Sequence, residues 1–153
     1  MCAEKNNVKP GLLLSVLSNK CPRCRRGKLF KQPNPYKLKG LMLMNEQCPV
    51  CGQTTDMEPG FYYGTSYVSY ALAVAISVAT FIVWWVLVGF SLDDNRFFWW
   101  MGVNAVLLVL LQPMLMRLSR TIWLYFFVRY SHHWSEGDVV KAERVNEALK
   151  NAW

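Results

Sequence analysis

Thr65 to Phe90 reads TSYVSYALAVAISVATFIVWWVLVGF, 26 residues without one charged side chain. About 20 helical residues cross the hydrocarbon core of a bilayer, so the run predicts a transmembrane helix. A second uncharged run, FFWWMGVNAVLLVLLQPMLM from Phe97 to Met116, has 20 residues, about 30 Å of helix. It predicts a second span, with Pro113 kinking its inner end. A buried core helix would need far more polar chain around it than 153 residues leave. Only Ser91 to Arg96 joins the runs, so the two helices form an antiparallel hairpin.

Lysine and arginine orient it. Ten precede the first run, six follow the second, and only Arg96 lies in the loop beside Asp93 and Asp94. Cytoplasmic flanks carry the positive charge, which places both termini in the cytoplasm and the loop outside. The net charge of +7 fits a basic face on an anionic leaflet, and nucleic acid is not needed to explain it. Gly11 to Leu17 is apolar but too short for a signal sequence and has no small-residue cleavage site. With Leu12, Leu13, Val16 and Leu17 on one side, residues 9–18 predict a short interfacial helix.

Ahead of the hairpin stand two Cys-x-x-Cys pairs, Cys21/Cys24 and Cys48/Cys51, separated by 23 residues. Each turn aims two sulfurs at one point, and two turns supply the four soft ligands of a tetrahedral metal site. The spacing reads as a β-type zinc ribbon with short strands within 28–57 and a small core of Phe30, Leu41, Leu43 and Met57. Rubredoxin-type iron uses the same Cys-Pro-x-Cys-Gly turn, so iron stands as the alternative to zinc. Two disulfides are the competing reading, opposed by the reducing cytoplasm. Four thiolates around Zn²⁺ carry a formal −2, which Arg23, Arg25, Arg26 and Lys28 are placed to offset. The second turn ends in Gly52, which tolerates positive φ; the first has Arg25 there, which predicts a less regular knuckle. Such a head cannot fold on its apolar burial alone, so folding and metal binding are coupled.

Three domains follow: a head at 1–59, the hairpin with a juxtamembrane aromatic helix at 60–134, and a soluble tail at 135–153. Glu58-Pro59-Gly60 marks the first join, and Asn34-Pro35-Tyr36 reads as a turn. Tyr63, Tyr67 and Tyr70 recur at helical spacing, either as an aromatic belt or as a docking stripe for another integral membrane protein or a quinone-like ligand. Trp84, Trp85, Trp99 and Trp100 form the opposite girdle in contact with lipid. Leu118 to Tyr130 is too short and too charged for a third span and predicts an aromatic-rich helix that lies in the interface or bends away from the second span. Arg117 and Arg120 share its face, set to grip lipid phosphates or to contact the metal centre. His132 and His133 point apart on a helix and suit a wet juxtamembrane end better than a metal site. Cys2 reads as an unligated thiol. Ser135-Glu136-Gly137-Asp138 resembles a capped start, and Ala142, Val145, Leu149 and Ala152 give the tail a weak apolar face for the head or a partner.

The two Cys-Pro-x-Cys knuckles, Asn34-Pro35-Tyr36, Pro59-Gly60-Phe61-Tyr62-Tyr63-Gly64 and the two-helix hairpin together resemble the domain-of-unknown-function family DUF 983 over roughly residues 12–130. Arg117-Leu118-Ser119-Arg120-x-Ile122-Trp123 is similar to its Bacteroidetes-type members. The resemblance implies an inner-membrane protein with a cytoplasmic zinc ribbon and points toward assembly of respiratory complexes. It implies no activity. The residues supply no phosphate-binding loop, no nucleophile with its base and no small-molecule site. The expected role is therefore that of a non-enzymatic adaptor, accessory subunit or assembly factor. A membrane-tethered electron carrier and a metal chaperone using Cys2 or the His pair are the alternatives.

Overall fold

Both uncharged runs are helical. The structure is a computed structural model that describes residues 10–37, 39–57, 60–89 and 95–134. Its elements are α1 (Leu12–Leu17), a 3-10 turn (Phe61–Gly64), α2 (Thr65–Val88) and α3 (Arg96–Phe127). Cys2, the Glu58-Pro59 junction, the loop carboxylates Asp93 and Asp94 and the expected tail helix lie outside the described residues. Phe61–Val88 and Arg96–Phe127 are each long and apolar enough to cross a membrane. α2 buries none of its residues, whereas the core helix of a soluble domain buries at least a stripe.

α2 and α3 pack against each other as the antiparallel hairpin. Between them lies one polar knot. Asn104 donates from Nδ2 to Ser77 Oγ at 3.2 Å, and Thr80 Oγ1 donates to Asn104 Oδ1 at 3.0 Å. Ser77 Oγ also donates to Ala73 O and Thr80 Oγ1 to Ser77 O, both at 2.9 Å, so Asn104 is tied to hydroxyls that the backbone of α2 already orients. Asn104→Leu is expected to weaken the pairing by about 0.6 kcal/mol, and by no more than about 2 kcal/mol. Unfolding in mixed micelles at graded SDS would measure it.

α3 departs from expectation in its length. It does not stop at Met116; it runs on through Pro113 to Phe127, so residues 118–127 form no separate interfacial helix. Proline removes one helical hydrogen bond, yet the helix continues past Pro113. Arg117, Ser119, Thr121 and Leu124 are buried on this extension, where Arg117, Thr121 and Leu124 meet the head. At 32 residues α3 is about 48 Å long, enough for a span and a post beyond it.

The head is built on single bridges, not strands. Lys20 pairs with Lys28, Phe30 with Met44 and Gln47 with Thr54, and no strand forms among the described residues. The reason is where the carbonyls go. Those of Gln32, Pro33, Asn34, Leu41 and Met42, in the segment that a longer ladder would use, accept instead from arginines of α3. The core of the head is Leu29 and Phe30 with the knuckle cysteines, closed from below by Leu124 and Val128. Met57 packs against it as expected, while Leu43 is exposed. α1 forms, with Ser15 turned inward and Leu12, Leu13, Leu14 and Leu17 outward.

Candidate metal centre

Each knuckle is a tight turn closed by its own bridge. In the first, Cys21 N–H donates to Gly27 O at 2.8 Å and Arg25 N–H to Cys21 O at 2.7 Å. In the second, Cys48 N–H donates to Gln53 O at 2.8 Å and Gly52 N–H to Cys48 O at 2.9 Å. Both turn on a bond four residues long, but the first closes six residues on, at Gly27, and the second five, at Gln53. Arg25 takes φ 55° where Gly52 takes φ 69°, so the first knuckle bends as the second does and carries one residue more before it closes. The left-handed conformation costs a side chain about 1–2 kcal/mol. Arg25 offsets this with a hydrogen bond from Nη1 to Pro10 O at 3.0 Å and by lying 4.6 Å over the Tyr130 ring. Gly52 has open space around it, so Gly52→Ala should cost only the backbone strain, about 1 kcal/mol. Thermal unfolding of the metal-loaded protein would read that as a small downward shift.

The four sulfurs converge. All lie within 4.8 Å of one another, with Cys21 Sγ 3.7 Å from Cys51 Sγ and Cys24 Sγ 3.8 Å from Cys48 Sγ. A tetrahedron of sulfurs about 2.3 Å from a central ion has edges of about 3.8 Å. The donor set therefore fits a four-thiolate metal. Disulfide sulfurs stand about 2.05 Å apart, so these cysteines are free thiols, not the two bridges of the competing reading. Cys21, Cys24 and Cys48 are buried and Cys51 partly so. Gly27 N–H approaches Cys24 Sγ at 3.5 Å, and a Cβ on Gly27 would collide with Cys48 Sγ.

Four thiols this close share their protons. Hydrogen bonding from Cys21 pulls the Cys24 thiol below the ordinary range and the Cys48 thiol down to about 6, while Cys21, the donor to Cys24, is raised. A cation displaces those protons, so binding weakens as the solution is acidified. Of the four basic residues expected around the site, Arg23 and Arg25 are buried in the first knuckle, Arg26 is partly so and Lys28 is exposed. Arg26 lies 5.8 Å over Trp134, and Ser131 N–H donates to Arg23 O at 3.2 Å. The chain beyond α3 thus returns over the first knuckle.

Arg117 and Arg120 reach into the backbone of the head. Arg117 is 2% exposed. It donates from Nε to Leu41 O at 3.0 Å, from Nη1 to Gln32 O at 3.0 Å and Pro33 O at 3.4 Å, and from Nη2 to Asn34 O at 3.1 Å. Its guanidinium also lies 5.0 Å over the Phe30 ring. Arg120 donates to Met42 O at 3.1 Å and covers Tyr62 at 5.0 Å. A planar donor fork facing bent backbone is satisfied without any anion. One and two turns further on, Thr121 Oγ1 donates to Asn19 Oδ1 at 2.7 Å and Tyr125 Oη to Lys20 O at 3.1 Å. On the neighbouring face Trp123 Nε1 donates to Phe61 O at 2.8 Å, and Phe61 meets Phe127 edge-on at 5.0 Å. A Cβ on Gly64 would run into the Trp123 ring.

The remaining expected residues fall elsewhere. Tyr63, Tyr67 and Tyr70 all point outward. Trp85 and Trp99 are exposed, while Trp84 and Trp100 turn partly inward with their indole nitrogens buried. Tyr36 N–H donates to Asn34 Oδ1 at 3.0 Å, the expected turn. His132 and His133 are exposed, and among the described residues only the cysteines form a metal-binding group. Gly27, Asn104 and Thr121 carried no sequence signal beyond their identity.

Two long apolar helices and a head organised on four convergent cysteines define the class: a candidate membrane hairpin bearing a thiolate metal centre. The chain belongs to the DUF983 family, described as a protein of unknown function, whose model matches residues 38–126. The matched segment takes in the second knuckle, both long helices and Arg117, and leaves Cys21 and Cys24 outside it. No curated protein and no solved structure matches the chain.

Proposed function

We propose that the protein is a non-enzymatic adaptor of a bacterial inner membrane, an accessory subunit or assembly factor of a larger, respiratory-type membrane complex. Its hairpin crosses the bilayer with both termini in the cytoplasm, and its head is a zinc ribbon pared down to paired knuckles. The observation that carries this reading is a contrast in exposure. Tyr63, Tyr67 and Tyr70 stand 67%, 79% and 72% exposed along one face of the turn and α2, whereas the four sulfurs close around one point. A site with all four positions filled by protein supports a structural ion. Tyrosines with an apolar body and a polar tip suit a protein contact at the edge of a bilayer.

The Tyr67→Ala, Tyr70→Ala double variant, drawn from its own membranes in mild detergent, should lose a membrane protein that accompanies the wild type. Its metal content should stay at the wild-type level. An unchanged set of companions rejects this face as the interface. Partial exposure of Cys51 favours the second reading, an iron-bound electron carrier with one sulfur open to a redox partner. That reading requires iron and a red colour that bleaches on reduction; a colourless protein with one zinc removes it.

A further inference from the structure

We propose that the loop from Lys31 to Leu43 is a foot that binds anionic phospholipid headgroups of the leaflet beneath the head. The inference rests on the reading of α2 and α3 as membrane spans. Arg117 follows directly on Met116, the last residue of the uncharged run, so it marks the depth at which the span ends. Its guanidinium holds the carbonyls of Gln32, Pro33, Asn34 and Leu41, and Arg120 holds that of Met42. Five carbonyls of one loop are thereby pinned at headgroup level. The hairpin register agrees: Phe81 packs on Trp100 and Phe61 on Trp123, which sets Tyr67 about level with Met116.

What the loop shows at that depth is basic and apolar together. Between Lys28 and Asn45 the only charges are Lys28, Lys31, Lys37 and Lys39, with no carboxylate among them. All four lysines are exposed, as are Tyr36 and Leu43. An exposed leucine and tyrosine beside lysines, in a loop that carries no acid of its own, match an interface where acyl chains lie above and phosphates at the side. The two arginines that sequence alone would give to lipid phosphates are occupied by backbone. The role passes to lysines some 80 residues away in the chain.

The test uses the whole metal-loaded protein in nanodiscs of phosphatidylcholine alone and of phosphatidylcholine mixed with phosphatidylglycerol. Tryptic cleavage after Lys37 and Lys39 is followed by mass spectrometry against cleavage after Arg129, which is exposed beyond α3. The anionic lipid should slow cleavage at the two lysines at least about tenfold and leave Arg129 unchanged. Salt at about 0.5 M should restore the rate, because screening shortens the reach of the lipid charge. Tyr36→Ser with Leu43→Ser should weaken the protection while metal content holds. Equal cleavage in both lipids overturns the foot, and so does protection that appears only in native vesicles, which would mean a protein covers the loop. A chain that alkaline carbonate strips from membranes overturns the span reading itself, and that outcome is distinct from a retained chain cleaved equally.

Discussion

Cys24→Ser is expected to empty the four-sulfur site and unfold the head while leaving α2 and α3 helical. Serine oxygen is a poor partner for a thiolate-binding ion, and the three remaining sulfurs cannot complete the tetrahedron. Apart from the bonds to α3, residues 20–57 have only three isolated bridges and a core of two large apolar side chains, Leu29 and Phe30, closed by Leu124 and Val128. Binding of a structural zinc ion contributes about 10–16 kcal/mol to small domains of this kind, more than such a core supplies. Metal content should fall from one ion per chain to near none. Amide exchange should rise across both knuckles, and the helical circular dichroism from the hairpin should persist. Gly27→Ala should reach the same end without touching a ligand, because its Cβ would displace Cys48 Sγ. Retained stoichiometric metal in either variant would contradict the site.

Arg117→Ala is the second large effect, and it acts on the joint rather than on the centre. Its guanidinium makes four hydrogen bonds to backbone carbonyls and is 2% exposed. Hydrogen bonds to a charged group contribute about 1.5–3 kcal/mol each, and carbonyls left buried without a donor add a penalty. The bonds share one donor group, so the expected loss is about 3–5 kcal/mol, as for breaking a buried charged contact. Exchange should quicken in residues 30–44 while the knuckles keep their metal. Arg117→Lys should recover only a fraction, since one ammonium cannot reproduce the planar fork. Unchanged protection of residues 30–44 in Arg117→Ala would show that the arginine does not hold the loop.

What the sequence made legible was local. A Cys-x-x-Cys turn encodes its geometry in four residues, and an uncharged run of helical length declares itself without reference to the rest of the chain. The knuckle glycine rule gave the longer first knuckle but not its conformation, since an arginine holds φ 55° when its side chain is anchored at Pro10 and Tyr130. The ribbon strands were read from ligand spacing, yet the carbonyls between the knuckles went to α3. Arg117 meets Leu41 and Gln32 across 76 and 85 residues, and no periodicity reports such a contact. An arginine at the end of an apolar run does not show in the sequence that its partners are backbone carbonyls. Pro113 was read as a kink in the span, and the helix runs on past it to Phe127.

The head depends on whether Cys21, Cys24, Cys48 and Cys51 hold one ion. The most direct test is elemental analysis of the protein purified from its native membranes, paired with amide exchange of the same sample before and after chelation. One zinc per chain, with the head protected before chelation and exposed after it, is the predicted result. A chain with no bound metal whose head is equally protected would contradict it.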